Sequence, residues 1–228
     1  MFIGHFAAAY AAKRVAPRAS LGALFAAAQL PDLLWPLFLL AGWERVRIAP
    51  GDTAFTPLAF EHYPWSHSLL AVAGWAALFG GGYLLASRDR RGALVVAALV
   101  MSHWVLDAVT HRPDLPLTPG GAARVGLGLW NSVPTTIVVE ALLFAAGVAL
   151  YARCTEARDR VGGAGLWALI GTLVLIFLGN AFGPPPPAVT PIAYAGLGIW
   201  LLVAWGEWVD RHRRARPDAR PDARSARA

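Results

Sequence analysis

Apolar positions run along this chain in long blocks rather than in the two-residue alternation of a half-buried strand, and polar residues collect in the gaps. Blocks close to the roughly 20 residues of helix that cross about 30 Å of hydrocarbon fall at 21–43, 67–86, 93–111, 133–151, 165–182 and 191–208. They predict an all-α fold, a polytopic membrane helical bundle of about six transmembrane helices. A further apolar stretch, 2–12, is too short to span and is followed by Lys13, Arg14 and Arg18. It predicts a short N-terminal helix that either dips into the bilayer or lies flat on its surface. In the dipping arrangement, at ~1.5 Å per residue, His5 lies roughly 12 Å inward of Lys13 and near the depth of Asp32. Apolar first and basic afterwards is the reverse of a secretory signal, so the stretch is read as mature structure.

Composition sharpens the class. Of the 228 residues 57% are hydrophobic and 15% charged, against about 25% charged in soluble domains, which excludes an ordinary soluble domain. The net charge of +6 does not point to nucleic acid, because the basic residues sit between apolar blocks and not on one face. Sixteen of the 20 Lys and Arg fall on one side of the predicted six-helix arrangement, and only Arg45, Arg47, Arg112 and Arg124 on the other. Cytoplasmic loops collect such residues, so both termini are expected in the cytoplasm. Trp43, Trp65 and Trp130 at one set of helix ends, with Trp205 and Trp208 at the other, read as interfacial belts. Residues 1–210 form one transmembrane domain in this reading. The tail 211–228, with its RPDARPDA repeat, reads as disordered, basic and drawn to anionic lipid. The single cysteine, Cys154, leaves nitrogen and oxygen as the ligands for any metal.

Ionisable side chains inside a bilayer are expensive and so mark function by default. Here they are unevenly spread: Asp32, His67, His103, Asp107 and His111 on the first three predicted spans, Glu140 on the fourth, none in the cores of the last two. That divides the domain into a metal-site half, 1–130, and scaffold helices, 131–210. In SHWVLDAVTH, His103, Asp107 and His111 step by four residues, about 40° per step on a helix, and share one face. His103 and Asp107 then either reach one cation or make a structural hydrogen bond. LPDLLWP sets Asp32 between Pro31 and Pro36, each of which removes a backbone donor, so the carboxylate lies beside freed carbonyls or simply on a kinked helix. In EHYPWSHS, Pro64 forces a turn, Ser66 is a plausible N-cap and His67 starts a span, with His62 on the loop above. Asn131 and Glu140 are supporting candidates. No phosphate loop, GxSxG elbow or HExxH is present. The same buried residues also suit a transporter or ion pathway, although no internal repeat of the kind transporters carry is evident.

Four motifs in order, MFIGHF, LPD, HYPWSHSLL and SHWVLDAVTH, resemble those of the membrane-bound, metal-dependent hydrolases, also described as LexA-binding inner-membrane-associated hydrolases. The likeness covers roughly the first 130 residues. Several members read HRGxTHS where this chain has His62-Tyr-Pro-Trp-Ser-His67-Ser, keeping both histidines and losing Arg and Gly. Leu34 stands where members often carry a second acid. The resemblance implies a bacterial inner membrane location and a metal-dependent hydrolase. His5, Asp32, His67, His103 and Asp107 would hold one or two divalent cations, Zn²⁺ favoured and Mn²⁺ or Fe²⁺ compatible, with His62 or His111 as proton carrier. Its His-x-x-x-Asp helix is also similar to that of the zinc-dependent phospholipase C group, which implies a phosphoester or lipid-linked substrate by analogy.

Overall fold

A computed structural model describes residues 1–216. The apolar blocks are helices: α1 (Ile3–Ala12), α2 (Leu21–Ala28), α3 (Leu30–Leu40), the single turn α4 (Pro64–His67), α5 (Leu69–Ser87), α6 (Arg90–Thr110), α7 (Val133–Cys154), α8 (Arg160–Phe182), α9 (Val189–Leu197) and α10 (Ile199–Arg211). Among the described residues five spans are long and apolar enough to cross a membrane: α5, α6, α7, α8, and α9 with α10 counted together. The pair α2–α3, bent by 58°, makes a sixth. The polytopic helical bundle expected from the hydrophobic blocks is the observed fold.

Helix starts follow side-chain chemistry. Ser20, Ser68, Asp89, Ser132 and Asp159 each accept a hydrogen bond from the backbone N–H three residues on, opening α2, α5, α6, α7 and α8. Such a cap satisfies one of the amides that a helix start leaves unpaired. Around His67 this corrects the sequence reading. Pro64 opens the separate turn α4, Ser66 lies inside it, and Ser68 is the cap from which α5 begins. His67 therefore ends a turn that precedes the span.

The bend between α2 and α3 falls at Gln29. Pro31, in the first turn of α3, has no N–H to continue the α2 ladder, and Pro36 lies further along the same helix. Asp32 sits in the first turn of α3, where the unpaired amides favour a negative charge.

The N-terminal helix is packed inside the bundle against α2, α6 and α7, which sets it apart from a helix lying free on a surface. His5, Phe6, Ala9 and Tyr10 are all buried. A Cβ at Gly147 of α7 would run into the Ala7 carbonyl, so glycine there lets the two helices touch backbone to backbone. Aromatic rings fix the other side, with Phe6 and Phe25 4.8 Å apart and Tyr10 and Phe25 5.0 Å apart, both edge to face. Such pairs add about 0.5–1.5 kcal/mol each beyond the area they bury.

Among the described residues three small antiparallel pairs close the ends: β1 (Arg45–Ile48) with β2 (Leu58–His62), β3 (Leu115–Pro116) with β4 (Arg124–Val125), and β5 (Thr155–Ala157) with β6 (Arg213–Ala215). The last pair moves the sequence boundary of the tail. Arg211 still belongs to α10, and the buried Arg213 guanidinium donates to the Thr155 hydroxyl and the Gly162 carbonyl. Order therefore continues past residue 211. Residues 217–228, where the rest of the expected tail falls, lie outside the described residues. Trp130 also departs from expectation: it is buried, whereas Trp43, Trp65 and Trp208 are exposed at 60%, 49% and 47%.

Candidate metal centre

His103 and Asp107 lie one turn apart on α6 and both side chains are buried. His103 Nδ1 is 2.8 Å from the Ala28 carbonyl oxygen, at the end of α2, where the helix break leaves that carbonyl open to a side chain. A carbonyl only accepts, so Nδ1 carries the hydrogen and Nε2 of the neutral ring is bare. That nitrogen faces Asp107 Oδ2 at 3.1 Å and Asp32 Oδ1 at 3.8 Å, and it has no hydrogen-bond partner among the described residues.

His67 reaches the same place from α4. Ser66 Oγ donates to Glu44 Oε2 at 2.6 Å and lies 2.6 Å from His67 Nδ1. With its one hydrogen spent on the carboxylate, the hydroxyl accepts from Nδ1–H, and Nε2 is again the bare nitrogen. It stands 3.4 Å from Asp32 Oδ1 and 3.7 Å from Asp107 Oδ2. Two bare imidazole nitrogens thus face two carboxylate oxygens with separations of 3.1–3.8 Å. Ligands about 2.0–2.1 Å from one tetrahedral cation stand roughly 3.3–3.4 Å apart. The donor types and these four histidine–carboxylate separations suit ligands of a divalent ion, and each histidine has the outer hydrogen bond that metal-bound imidazoles need.

His5 joins from α1. Its Nε2 is 3.1 Å from the other Asp107 oxygen, Oδ1, and its ring stacks on His103 with centroids 3.7 Å apart and planes within 8°. The Met1 amino nitrogen is 2.7 Å from the same Asp107 oxygen. His5, His103 and Asp107 form one set of close ligand atoms, and Asp32, His67 and His103 another. His103 is common to both sets and has one free nitrogen, so it could serve only one ion at a time. All five residues expected as ligands are brought together, with His5 at the other oxygen of Asp107 and stacked on His103. Asp32 is the most open, with its side chain 24% exposed against 7% or less for the other four.

The two expected proton carriers lie elsewhere. α6 ends at Thr110 and His111 adopts extended backbone, so its ring leaves the face shared by His103 and Asp107. His111 Nδ1 is 2.9 Å from Asp114 Oδ1, which also accepts from the Tyr63 hydroxyl at 3.1 Å, while Arg112 Nε donates to Oδ2 at 3.1 Å. The Trp130 ring packs on His111 at 4.4 Å. Burial works against charge on Asp114, yet the hydrogen bond from His111 and those from Arg112 and Tyr63 hold its carboxyl below the usual range. Burial also pushes the His111 imidazole below its ordinary value, with Asp114 only partly opposing. His62, half-buried, pairs across the hairpin with Arg45, and its side chain makes no hydrogen bond or ion pair among the described residues.

Sequence reasoning passed over Glu44, Tyr63 and Asp114. Glu44 is a lone acid just past an apolar block and Asp114 an acid three residues after a histidine, signals too common to single out. Glu140, a supporting candidate, accepts from the Phe2 and Gly4 amides at 2.9 and 3.2 Å, and so fastens the start of the helix that carries His5. Asn131 lies in the one-turn 3-10 helix Leu129–Asn131.

Comparison with curated proteins and with solved structures returns no match. The model of the YdjM inner membrane protein family matches residues 1–184, a description that speaks of location and names neither a reaction nor LexA. That span takes in α1 to α8 and every residue of the buried cluster, and the chain belongs to the YdjM inner membrane protein family.

Proposed function

We propose that this protein is a membrane-embedded, metal-dependent hydrolase that binds one divalent cation through His67, His103, Asp32 and Asp107. The observation that carries the reading is the bare His103 Nε2 facing Asp107 Oδ2 at 3.1 Å in a buried site. Two lone pairs so placed repel unless a proton or a metal cation lies between them, and with no Lys or Arg beside Asp32 and Asp107 among the described residues a divalent ion would answer both carboxylates and both imidazoles at once. Two imidazoles and two carboxylates favour Zn²⁺, with Mn²⁺ or Fe²⁺ compatible. When bound, such an ion supplies Lewis acidity and a water acidified from 15.7 toward about 7.

The chain's own residues do the rest. Asp32, the open member, lies where a substrate oxygen and water would enter. His5 contacts Asp107 through the oxygen that the four-residue set leaves free, and so fixes the carboxylate's rotation. α8, α9 and α10 contribute nothing to the cluster, whereas a transport route would need ionisable groups through both halves of the bundle.

A phosphoester on a lipid is the substrate class we favour. An apolar cleft of about 220 Å³ between α3 and α5, lined by Leu30, Leu34, Trp75, Leu78 and Phe79, lies along the same helix as Asp32 and suits a hydrocarbon chain. The bias of basic residues supports termini in the cytoplasm. His111, held by Asp114, is the better candidate of the two for proton transfer.

Metal analysis of the purified full chain tests the core of the reading. About one divalent ion per chain is expected, and none would sink it. For the reaction, phospholipids and isoprenoid phosphates are incubated with the metal-loaded protein and a chelated control. Turnover is expected only with metal, and equal turnover in both would rule out metal-dependent hydrolysis.

A further inference from the structure

We propose that Glu44 is a positioning residue of this centre, acting through Ser66 to hold His67 in the one tautomer and orientation that present Nε2 to a cation. The inference rests on the metal reading above and extends it to a residue outside the ligand set.

Glu44 follows the end of α3, where both its amide and that of Trp43 bond back to the Phe38 carbonyl. Its side chain turns inward and the residue is only 2% exposed. A carboxylate taken out of water is costly unless its oxygens are hydrogen-bonded. No Lys, Arg or His pairs with it among the described residues. Three donors meet it instead: the Trp65 and Ser66 amides, both 2.8 Å from Oε1, and the Ser66 hydroxyl, 2.6 Å from Oε2. Each of those donors belongs to α4, the turn that ends at His67.

The two amide bonds alone would tie the α4 turn to the end of α3. The Ser66 hydroxyl does something the tie does not need. A serine hydroxyl has one hydrogen, and here Glu44 takes it, so the oxygen is left able only to accept. His67 Nδ1, 2.6 Å away, must then be the protonated nitrogen. Were Glu44 uncharged or absent, the hydroxyl could turn and donate to Nδ1, moving the ring hydrogen to Nε2 and blocking the ligand atom. The relay also joins the two elements that supply Asp32 and His67, α3 and α4, whose ligand atoms stand 3.4 Å apart. Outer hydrogen bonds of this kind typically change metal affinity by about 10–100-fold.

The test compares the full-length wild type in detergent with Glu44→Gln, Ser66→Ala and Ser66→Thr. Affinity for Zn²⁺ is measured against a chelator of known strength, and the visible spectrum is recorded with Co²⁺ in its place. Ser66→Ala is expected to weaken binding by roughly 10–100-fold and to alter the Co²⁺ spectrum, while Ser66→Thr, which keeps the hydroxyl, restores both. Glu44→Gln should resemble Ser66→Ala. Should Glu44→Gln fail to fold, the two serine variants decide alone. A merely structural role would lower the melting temperature of the metal-free protein and leave the Co²⁺ spectrum of the folded fraction unchanged, and that pattern would overturn the inference. So would affinities within about threefold of wild type in Ser66→Ala, or no recovery in Ser66→Thr. These results leave the metal centre standing, whereas absence of metal binding in the wild type removes the centre and the inference together.

Discussion

Two histidine–carboxylate groups stand one after the other at the C-terminal end of α6, and they are built to different ends. Around Asp114 both carboxylate oxygens are answered: His111, Tyr63 and Arg112 all bond to them, and Arg112 also pairs with Asp52. Around Asp107 and Asp32 the ion-pair partners among the described residues are histidines and the Met1 amine, with no Lys or Arg, and His103 Nε2 and His5 Nδ1 have no hydrogen-bond partner. Both groups are buried histidine with acid, so residue type alone does not separate them. What separates them is how far the chain's own cations reach: Arg112 bonds directly to Asp114, whereas the Met1 amino group meets only Oδ1 of Asp107 and leaves Oδ2 and Asp32 facing histidine nitrogens alone.

The largest effect that separates the two groups is metal content. His103→Ala or Asp107→Ala would remove a proposed ligand and leave a carboxylate or imidazole unmatched, so stoichiometric metal should be lost, with affinity down by at least about 100-fold. His111→Ala should retain about one ion per chain. Elemental analysis of the three variants beside wild type checks the contrast. Loss of metal from His111→Ala and its retention in His103→Ala would invert the comparison.

Much of this contrast was out of reach of the sequence, for reasons that differ by residue. The spans were legible because a bilayer demands helix length, and length is written directly in the apolar blocks. His103 and Asp107 were legible because a spacing of four is a face on a helix. His111 obeyed the same spacing, yet the helix stops one residue before it, and that stop depends on where the following loop finds partners in Asp114 and Trp130. His67 looks like the start of a span in the sequence, because the Glu44 carboxylate that ties down the α4 turn is 23 residues away in the chain. Pro31 and Pro36 announced a broken helix, but not that the Ala28 carbonyl would meet His103. Local periodicity reports on helices, and the partners that set a tautomer come from distant segments.

Stability should show the reverse pattern from metal content, at a smaller scale. Tyr63→Phe removes one hydrogen bond to Asp114 and should lower stability by about 1 kcal/mol, and Asp114→Ala, which strands His111 and Arg112, by about 2–3 kcal/mol. Metal content should stay at wild-type level in both. Chemical unfolding in mild detergent, with elemental analysis of the same samples, measures the two quantities together. Loss of metal in step with loss of stability would show that the Asp114 group belongs to the centre.

The smallest difference is in pH dependence, and its direction follows from burial. His111 stands just beyond α6 with its pKa lowered from 6.5, because burial disfavours the imidazolium more than Asp114 favours it. Between the folded value and 6.5 the unfolded chain binds the proton more strongly, so acidification through that window costs stability. Asp114 acts in the same direction further down: its folded pKa lies below 3.8, so its contribution is present above 3.8 and is lost as pH falls through the folded value. Burial pushes the Tyr63 phenol up, which keeps it a donor throughout. The melting temperature of the metal-free protein should therefore fall between about pH 7.5 and about pH 5.5, and less steeply in His111→Gln, which has no ring to protonate. The difference between the two slopes isolates this residue from the other histidines. A steeper fall in His111→Gln would mean that the imidazolium is the form the fold prefers, and that the Asp114 group, like the one beside it, is short of positive charge.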